Sequence, residues 1–557
     1  MRTIVCLLVT LLAAGVLSTA SAGVAEGGKK YLVHGWEFKY ILPSDVLRDV
    51  DRFRDVPFDG VVFRVNATNS LGESMMSPVN GGRWERAPLE RQIPDMRRVL
   101  ALEHFRESFL AGFGAPQKRI AWTDDAAWER IAGNMADLGW FAHQCGFKGV
   151  VCDVEDYYKA RQFYRTDADP EWDELVRIVR RRGAQVFGAL FREHPEVKVM
   201  FLWIMNSEHG YMNAADPVAT ARNRGDLDPA FFDGVIDALP ETARLINGDE
   251  NCYFADYIHR SYHKSRLNNF LVCPKFFSPE NREKYRRLSQ ASFGFYYDML
   301  VNDLKNPYSL APINGSRVEH FRRNLRDATE LADEYVWIWG EAHTTVDWAG
   351  AKLDPRIKGK GTWSENAPGL YEAMKCCKDP DRGLLRRYRS LKESGRLRDL
   401  NENPACTGGK AGGALPRPYA SWRPAAEKDV EFSLDLTQGC GDSSCLRIRG
   451  TKRGCIYLSY KNLPEGSSYI LAFDCKGPVE AEVNYSNSAT GRIRSQEHAL
   501  LVPAAPGSDG WRHARAVVTL PVGADGFTFT FTDGSRSGQE LLVDNVHVHP
   551  FDFTDKD

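Results

Sequence analysis

No charge of either sign dominates this chain. Its 72 Lys and Arg stand against 74 Asp and Glu over 557 residues, a formal net charge of −2. That balance creates no general attraction to nucleic acid or to an anionic membrane, and neither is expected as a partner. The basic run Arg180–Arg182 lies in helix-like sequence and reads as a solvated face. Long apolar runs are missing after the first residues, so no membrane insertion is expected. No G-x-G-x-x-G or P-loop follows a strand-like segment, which opposes the nucleotide-binding sheets, and no cofactor is expected. The G-x-S-x-G elbow of serine hydrolases is also missing. The cysteines form no zinc-type C-x-x-C pairs. His34, His209 and His343, near strand ends, stand in no H-x-H or H-E-x-x-H array, so no metal is expected.

What is present begins with a leader. Arg2, the apolar stretch Val5–Leu17 and Ala20-Ser21-Ala22 have the order of a secretory signal cleaved before Gly23. Residues 1–22 are therefore expected to be removed and the remainder to be secreted or periplasmic. Twelve cysteines fall to eleven without Cys6. In an oxidising compartment the C-G-D-S-S-C loop makes a Cys440–Cys445 disulfide plausible, whereas Cys145, Cys152 and Cys273 read as buried thiols.

From Tyr31, strand-like and helix-like segments alternate for about three hundred residues. Strands are expected at Tyr31–Phe38, Phe58–Val65, His104–Phe113, the run through Val150, Val151 and Cys152, Val197–Asn206, Ala243–Glu250, Ser292–Asn302 and Tyr335–Ala342. Eight strands with helices between them predict an α/β fold, a (β/α)8 TIM barrel, over residues 23–404. An open doubly wound sheet is the alternative. The irregular stretch Asn66–Arg98 reads as an insertion over the barrel mouth. Residues 405–418, rich in glycine and proline, read as a linker. From 419 to 557 short strands follow one another without helices, which predicts a C-terminal all-β jelly-roll sandwich.

The stretch around which the chemistry gathers is Gly146–Tyr158, GFKGVVCDVEDYY. An apolar run suited to a doubly buried strand breaks into Asp153, Glu155 and Asp156. A central strand cannot bury three carboxylates unpaired, because desolvating each charge is costly, so the strand must end there at a cleft. Parallel strands deliver their carboxyl ends to one rim. Trp36 and Glu37, Asn206, Glu250, Asp298, Trp339 and Glu341 end other strands, and Trp348 follows in a loop. Paired carboxylates with aromatic platforms suit glycoside hydrolysis, in which one acid protonates the leaving oxygen and another attacks or activates water. Asp153, Glu155, Glu250 and Glu341 are the candidate catalytic residues; Trp36, Glu37, Asn206, Asp298, Trp339 and Trp348 are candidates for binding a carbohydrate substrate. Asp153 could also simply bond the turn that follows it.

Phe147–Glu155 resembles the strand-four segment of chitinase-type glycoside hydrolases, F-D-G-hydrophobic-D-hydrophobic-D-W-E, with Val151 and Val154 departing from the pattern. The resemblance implies Glu155 as the acid and Asp153 as an aspartate that orients an N-acetyl group. An acid on strand four with one on strand six is also similar to α-galactosidase-like barrels, which would make Asp153 the nucleophile and Glu250 the acid. Gly510-Trp511 and the closing Leu541–Val548 resemble a jelly-roll carbohydrate-binding module. The expectation is an exported glycoside hydrolase acting on a polysaccharide or oligosaccharide. The alternatives are a non-catalytic glycan-binding protein with a decayed barrel, or a metal-dependent hydrolase or deacetylase on the same barrel.

Overall fold

The computed structural model describes residues 28–205, 214–313, 315–378, 390–391, 393–425, 429–442, 444–450, 454–464, 467–477, 479–498, 509–520, 523–533 and 540–551. The expected leader and Asn206 lie outside them. Among the described residues no helix is long and apolar enough to cross a membrane. The chain divides into two compact units, residues 1–310 with 321–378, and residues 311–320 with 379–557.

The first unit is built on nine parallel strands: β1 (Lys30–Gly35), β2 (Gly60–Phe63), β3 (Phe109–Gly114), β4 (Gly149–Asp153), β5 (Lys198–Phe201), β6 (Arg244–Asn247), β7 (Ser289–Ala291), β8 (Gly294–Tyr296) and β9 (Tyr335–Gly340). They form one curled sheet in the order β7-β6-β5-β4-β3-β2-β1-β9-β8. This corrects the expectation of a closed eight-stranded barrel. The stretch read as the seventh strand, Ser292–Asn302, holds β8 and the 3-10 turn Tyr297–Leu300, while β7 lies before it, and β7 and β8 stand at opposite ends of the strand order. Their partners differ: β7 pairs with β6, and β8 pairs with β9. The β6–β7 ladder closes with the Ser292 N–H on the Asn247 carbonyl at 2.9 Å, and the chain leaves it after that bond.

The strands alternate with helices for the reasons their sequences suggest. Asp124 caps the helix Asp125–Cys145 by accepting from the Ala127 N–H at 3.0 Å, and Gly146 ends it in the left-handed conformation at φ 95°. Three residues later the chain enters β4, whose Gly149, Val150, Val151 and Cys152 are all buried. Asp153 is the first residue of that run to regain solvent. The strand therefore ends where its apolar residues do.

The second unit holds two five-stranded antiparallel sheets. One is ordered β10 (Ala420–Trp422), β13 (Cys455–Tyr460), β18 (Gly526–Asp533), β15 (Val479–Asn487), β16 (Gly491–His498). The other is β11 (Val430–Asp435), β12 (Cys445–Gly450), β19 (Leu541–Phe551), β14 (Ser468–Lys476), β17 (Arg512–Thr519). A single apolar core joins them: Phe473 of β14 meets Phe529 and Phe531 of β18 at ring distances of 5.7 and 4.9 Å. The stretch read as a linker is tied into this unit, since Cys406 is buried in its core and Leu415 packs against it. All eleven cysteines from Cys145 onward are free thiols, so the expected Cys440–Cys445 bridge is not formed. The two side chains nevertheless share one small cluster with Trp511 and Leu542.

Candidate functional site

The carboxyl ends of the strands surround a cavity of about 1340 Å³ within the first unit. Asp153, Glu155, Glu250 and Glu341 all line it, as do Trp36, Asp298 and Trp339. Residues far apart in sequence meet here because every strand of the sheet runs the same way.

Asp153 occupies the floor. Its Oδ1 accepts from the Glu155 N–H at 3.0 Å and its Oδ2 from the Tyr157 hydroxyl at 3.0 Å. The first bond is the turn-forming contact of an aspartate with the backbone two residues on, and it brings Glu155 to the same cavity. Burial pushes the Asp153 carboxyl upward; the two hydrogen bonds and the Arg64 guanidinium oppose that. Arg64, just past β2, lines the cavity too, and burial lowers its pKa while the Asp153 charge partly restores it. His34, at the end of β1, is 6 % exposed and stands edge-on to Trp339 at 4.6 Å. Burial, with Arg64 adding, lowers its pKa to about 3, so it is a neutral wall.

A second carboxylate cluster comes from β8 and β9. The Glu341 Oε1 accepts from the Tyr296 hydroxyl at 2.6 Å, and Asp298 Oδ1 accepts from the N–H groups of Glu341 and Ala342 at 3.3 and 3.2 Å. Burial raises Asp298 to about 6, and the charge of Glu341 adds to the rise. Between the two clusters run aromatic rings. Tyr253 stacks on Tyr296 at 5.4 Å, Tyr296 meets Tyr308 at 5.9 Å, and Tyr308 meets Phe254 at 5.2 Å. Phe254 is 54 % exposed, so this wall climbs from the floor to solvent.

Below Glu250 the chain turns tightly. Trp337 donates from Nε1 to the Gly248 carbonyl at 2.7 Å, and a Cβ on Gly248 would stand 2.8 Å from the Phe201 carbonyl oxygen. Only glycine fits that approach. Asp249, at φ 36°, accepts from the Ser265 hydroxyl, and burial raises its pKa. Its carboxyl is committed to the turn, which leaves Glu250 as the β6 acid that lines the cavity.

Two expected ligand-binding residues are placed elsewhere. Glu37 is 1 % exposed and accepts from the Thr345 N–H at 2.9 Å and from Trp348 Nε1 at 2.5 Å. Glu37 and Trp348 thus bind each other behind the strand ends, because the chain enters a 3-10 turn at Trp36–Lys39 that sends alternate side chains apart. Trp36 stays at the rim, its Nε1 on Asp354 at 3.0 Å and the Arg356 guanidinium 4.0 Å over its ring. Arg64, Tyr157, Tyr253 and Tyr296 were not anticipated. The available signals were a cation closing an apolar strand in FDGVVFRV and the tyrosines that follow the acids in DVEDYY.

Glu37 carries a pH prediction. Burial raises its pKa from 4.5 to about 7, against the pull of the Trp348 and Thr345 bonds. The folded state therefore keeps a proton that the unfolded chain releases, and stability from this group falls as pH rises from about 4.5 to about 7, by up to roughly 3 kcal/mol. Glu37→Gln is expected to flatten that decline in denaturant midpoints of the first unit. An unchanged slope in the variant would refute the assignment.

No family model matches the chain, and no curated protein matches it. Among solved structures, TmCBM61 in complex with beta-1,4-galactotriose is matched at 15 % identity over 28 % of this chain and 99 % of that one, with a TM-score of 0.20. The CBM22-1–GH10 modules of endo-1,4-beta-D-xylanase 10B from Clostridium thermocellum, complexed with xylohexaose, are matched at 16 % identity over 25 % of this chain and 27 % of that one, TM-score 0.20. The enzymatically active domain of bacteriophage CBA120 tailspike protein 4 is matched at 13 % identity over 24 % of this chain and 20 % of that one, TM-score 0.20. The chain thus spans about a fifth to a quarter of the tailspike and xylanase chains. The neighbours include carbohydrate-binding modules and glycoside hydrolases. Overlaps of this size establish no family, and the functional reading rests on the cavity itself.

Proposed function

We propose that the first unit is an exported glycoside hydrolase that cleaves a polysaccharide or its oligosaccharides, and that the second is a carbohydrate-binding-type sandwich. The observation that carries the reading is the convergence of Asp153, Glu155, Glu250, Asp298 and Glu341 with Trp339, Tyr253 and Tyr296 on one cavity. Glycosyl transfer to water needs one carboxyl protonated and another ionised, and crowding in a partly desolvated cleft divides them that way. In this assignment Glu155 protonates the leaving oxygen. Asp153, pinned on both oxygens, orients the reacting group or holds charge beside it, and Tyr157 links the two through its hydroxyl. The tyrosine wall stacks on sugar faces.

Charge narrows the substrate. Six carboxylates line the cavity (Asp153, Glu155, Asp156, Glu250, Asp298 and Glu341), beside a buried Asp228 whose pKa burial and the Asp226 charge raise well above the ordinary range, against the cations Lys39 and Arg64. That field repels polyanions, so a neutral glycan fits better than a uronate-rich or sulfated one. The test is a screen of purified protein on neutral and anionic polysaccharides, read as new reducing ends. Release from a neutral glycan supports the reading. Binding without release on every glycan favours the decayed, glycan-binding alternative.

A further inference from the structure

The aromatic wall of the cavity does not stop at the acids. Phe254, in the 3-10 helix Glu250–Phe254, is 54 % exposed, and Tyr308, which it meets at 5.2 Å, is 44 % exposed. Both line the cavity. Every other phenylalanine described in the first unit is buried or half-buried, the ordinary state of a ring with no polar tip. Phe254 is left open at the mouth.

The turn that presents Glu250 also places this ring. A 3-10 helix rises about 2.0 Å per residue, so Phe254 stands roughly 8 Å along the axis from Glu250. That is further than one pyranose ring reaches. Tyr308 is fixed through its backbone, its N–H on Asn306 Oδ1 at 2.9 Å and its carbonyl accepting from Asn302 Nδ2 at 2.8 Å. It also meets Tyr296 edge-on, at 5.9 Å and 81°, and Tyr296 donates to Glu341. Ring contacts thus join the pair at the mouth to the acids. Asn302 and Asn306 line the cavity too, and amides both donate to and accept from hydroxyls. A lone exposed ring would need no explanation. A pair continuous with the wall of a polar cavity suits a sugar, whose C–H face packs on aromatics while its hydroxyls bond amides.

We propose that Phe254 and Tyr308 form an outer sugar subsite, holding one unit of a neutral glycan chain while another unit lies at the carboxylates. The cavity then selects its substrate by chain length. This rests on the hydrolase reading and adds a binding site away from the reacting bond.

The test uses the full chain and neutral cello-, manno-, xylo- and galacto-oligosaccharides, each from disaccharide to hexasaccharide, with kcat/KM for new reducing ends as the readout. Wild type is expected to gain with length until the outer subsite is filled. Phe254→Ala and Tyr308→Ala should each lower kcat/KM several-fold, up to about tenfold, on the longest oligomer cleaved and leave the shortest unchanged. Phe254→Trp should keep the gain with length. The Phe254 ring is exposed, so its removal should not disturb folding, and a damaged fold would lower every length alike. Should an alanine variant not fold, the wild-type length profile decides. Length-independent cleavage by wild type, or equal losses on short and long oligomers in both alanine variants, overturns the subsite and leaves hydrolysis standing. No cleavage of any oligomer overturns the hydrolase reading, and the subsite with it.

Discussion

Glu155→Gln is expected to lower turnover on the cognate glycan by about 10²–10⁴-fold, the span that a positioned general acid contributes. The substitution keeps shape and removes only the proton that the leaving oxygen needs. Because Glu155 is half-buried at the cavity wall, folding should be nearly unchanged, which circular dichroism and the melting temperature would report. Asp153→Asn is expected to lose a comparable factor and some stability besides. Its amide can no longer accept on both sides, so either the Glu155 N–H or the Tyr157 hydroxyl loses a partner. Glu250→Gln and Glu341→Gln, read beside them, show which second carboxyl acts. Near-normal turnover in all four variants would mean that the chemistry is not in this cavity.

The second large effect is on stability. Trp337→Ala should cost the first unit about 3–5 kcal/mol in denaturant unfolding, the range for deleting a buried aromatic side chain. Trp337 is 1 % exposed, packs against Tyr253 at 5.6 Å and His34 at 6.3 Å, and bonds the Gly248 carbonyl. Removing it opens a void under the turn that presents Glu250. Trp337→Phe keeps most of the packing and leaves the Gly248 carbonyl without its donor, so its loss should be nearer 1–3 kcal/mol. The first unit's transition must be followed separately, because two units need not unfold together. A cost below about 1 kcal/mol for the alanine variant would show that Trp337 does not hold the floor.

Much of this molecule follows from local pattern. The apolar runs of β1, β2, β4 to β6 and β9 were legible because a doubly buried parallel strand has to be apolar at consecutive positions, whereas the third strand, expected at His104–Phe113, starts only at Phe109. The end of β4 was legible because carboxylates cannot continue such a strand. The change to an all-β second unit was visible as strands without intervening helices. β7 was not visible, because Ser289-Gln290-Ala291 is short and two of its three residues are polar, and only its pairing with β6, where β8 pairs with β9, marks it as a separate strand. His547 and His549 stand in plain alternation near the C-terminus, but nothing local marks Asp399 and Arg398 as their partners, 148 and 151 positions earlier.

The sequence by itself determined which residues could not be buried alone, and so that Asp153, Glu155, Glu250, Asp298 and Glu341 had to lie at strand ends or in loops. Composition and periodicity are enough for that, since desolvation penalises a lone charge wherever the chain puts it. Only the tertiary structure decided which acids share a cavity and which are spent elsewhere. Glu37 and Asp249 have the same chemistry as Glu155 and Glu250 and sit equally close to strand ends. The turn geometry at Trp36–Lys39 and the positive φ at Asp249 direct them to Trp348, Thr345 and Ser265 instead. Side-chain direction at the end of a strand depends on backbone dihedrals and on partners from distant segments, and neither is encoded in the spacing of residues along the chain.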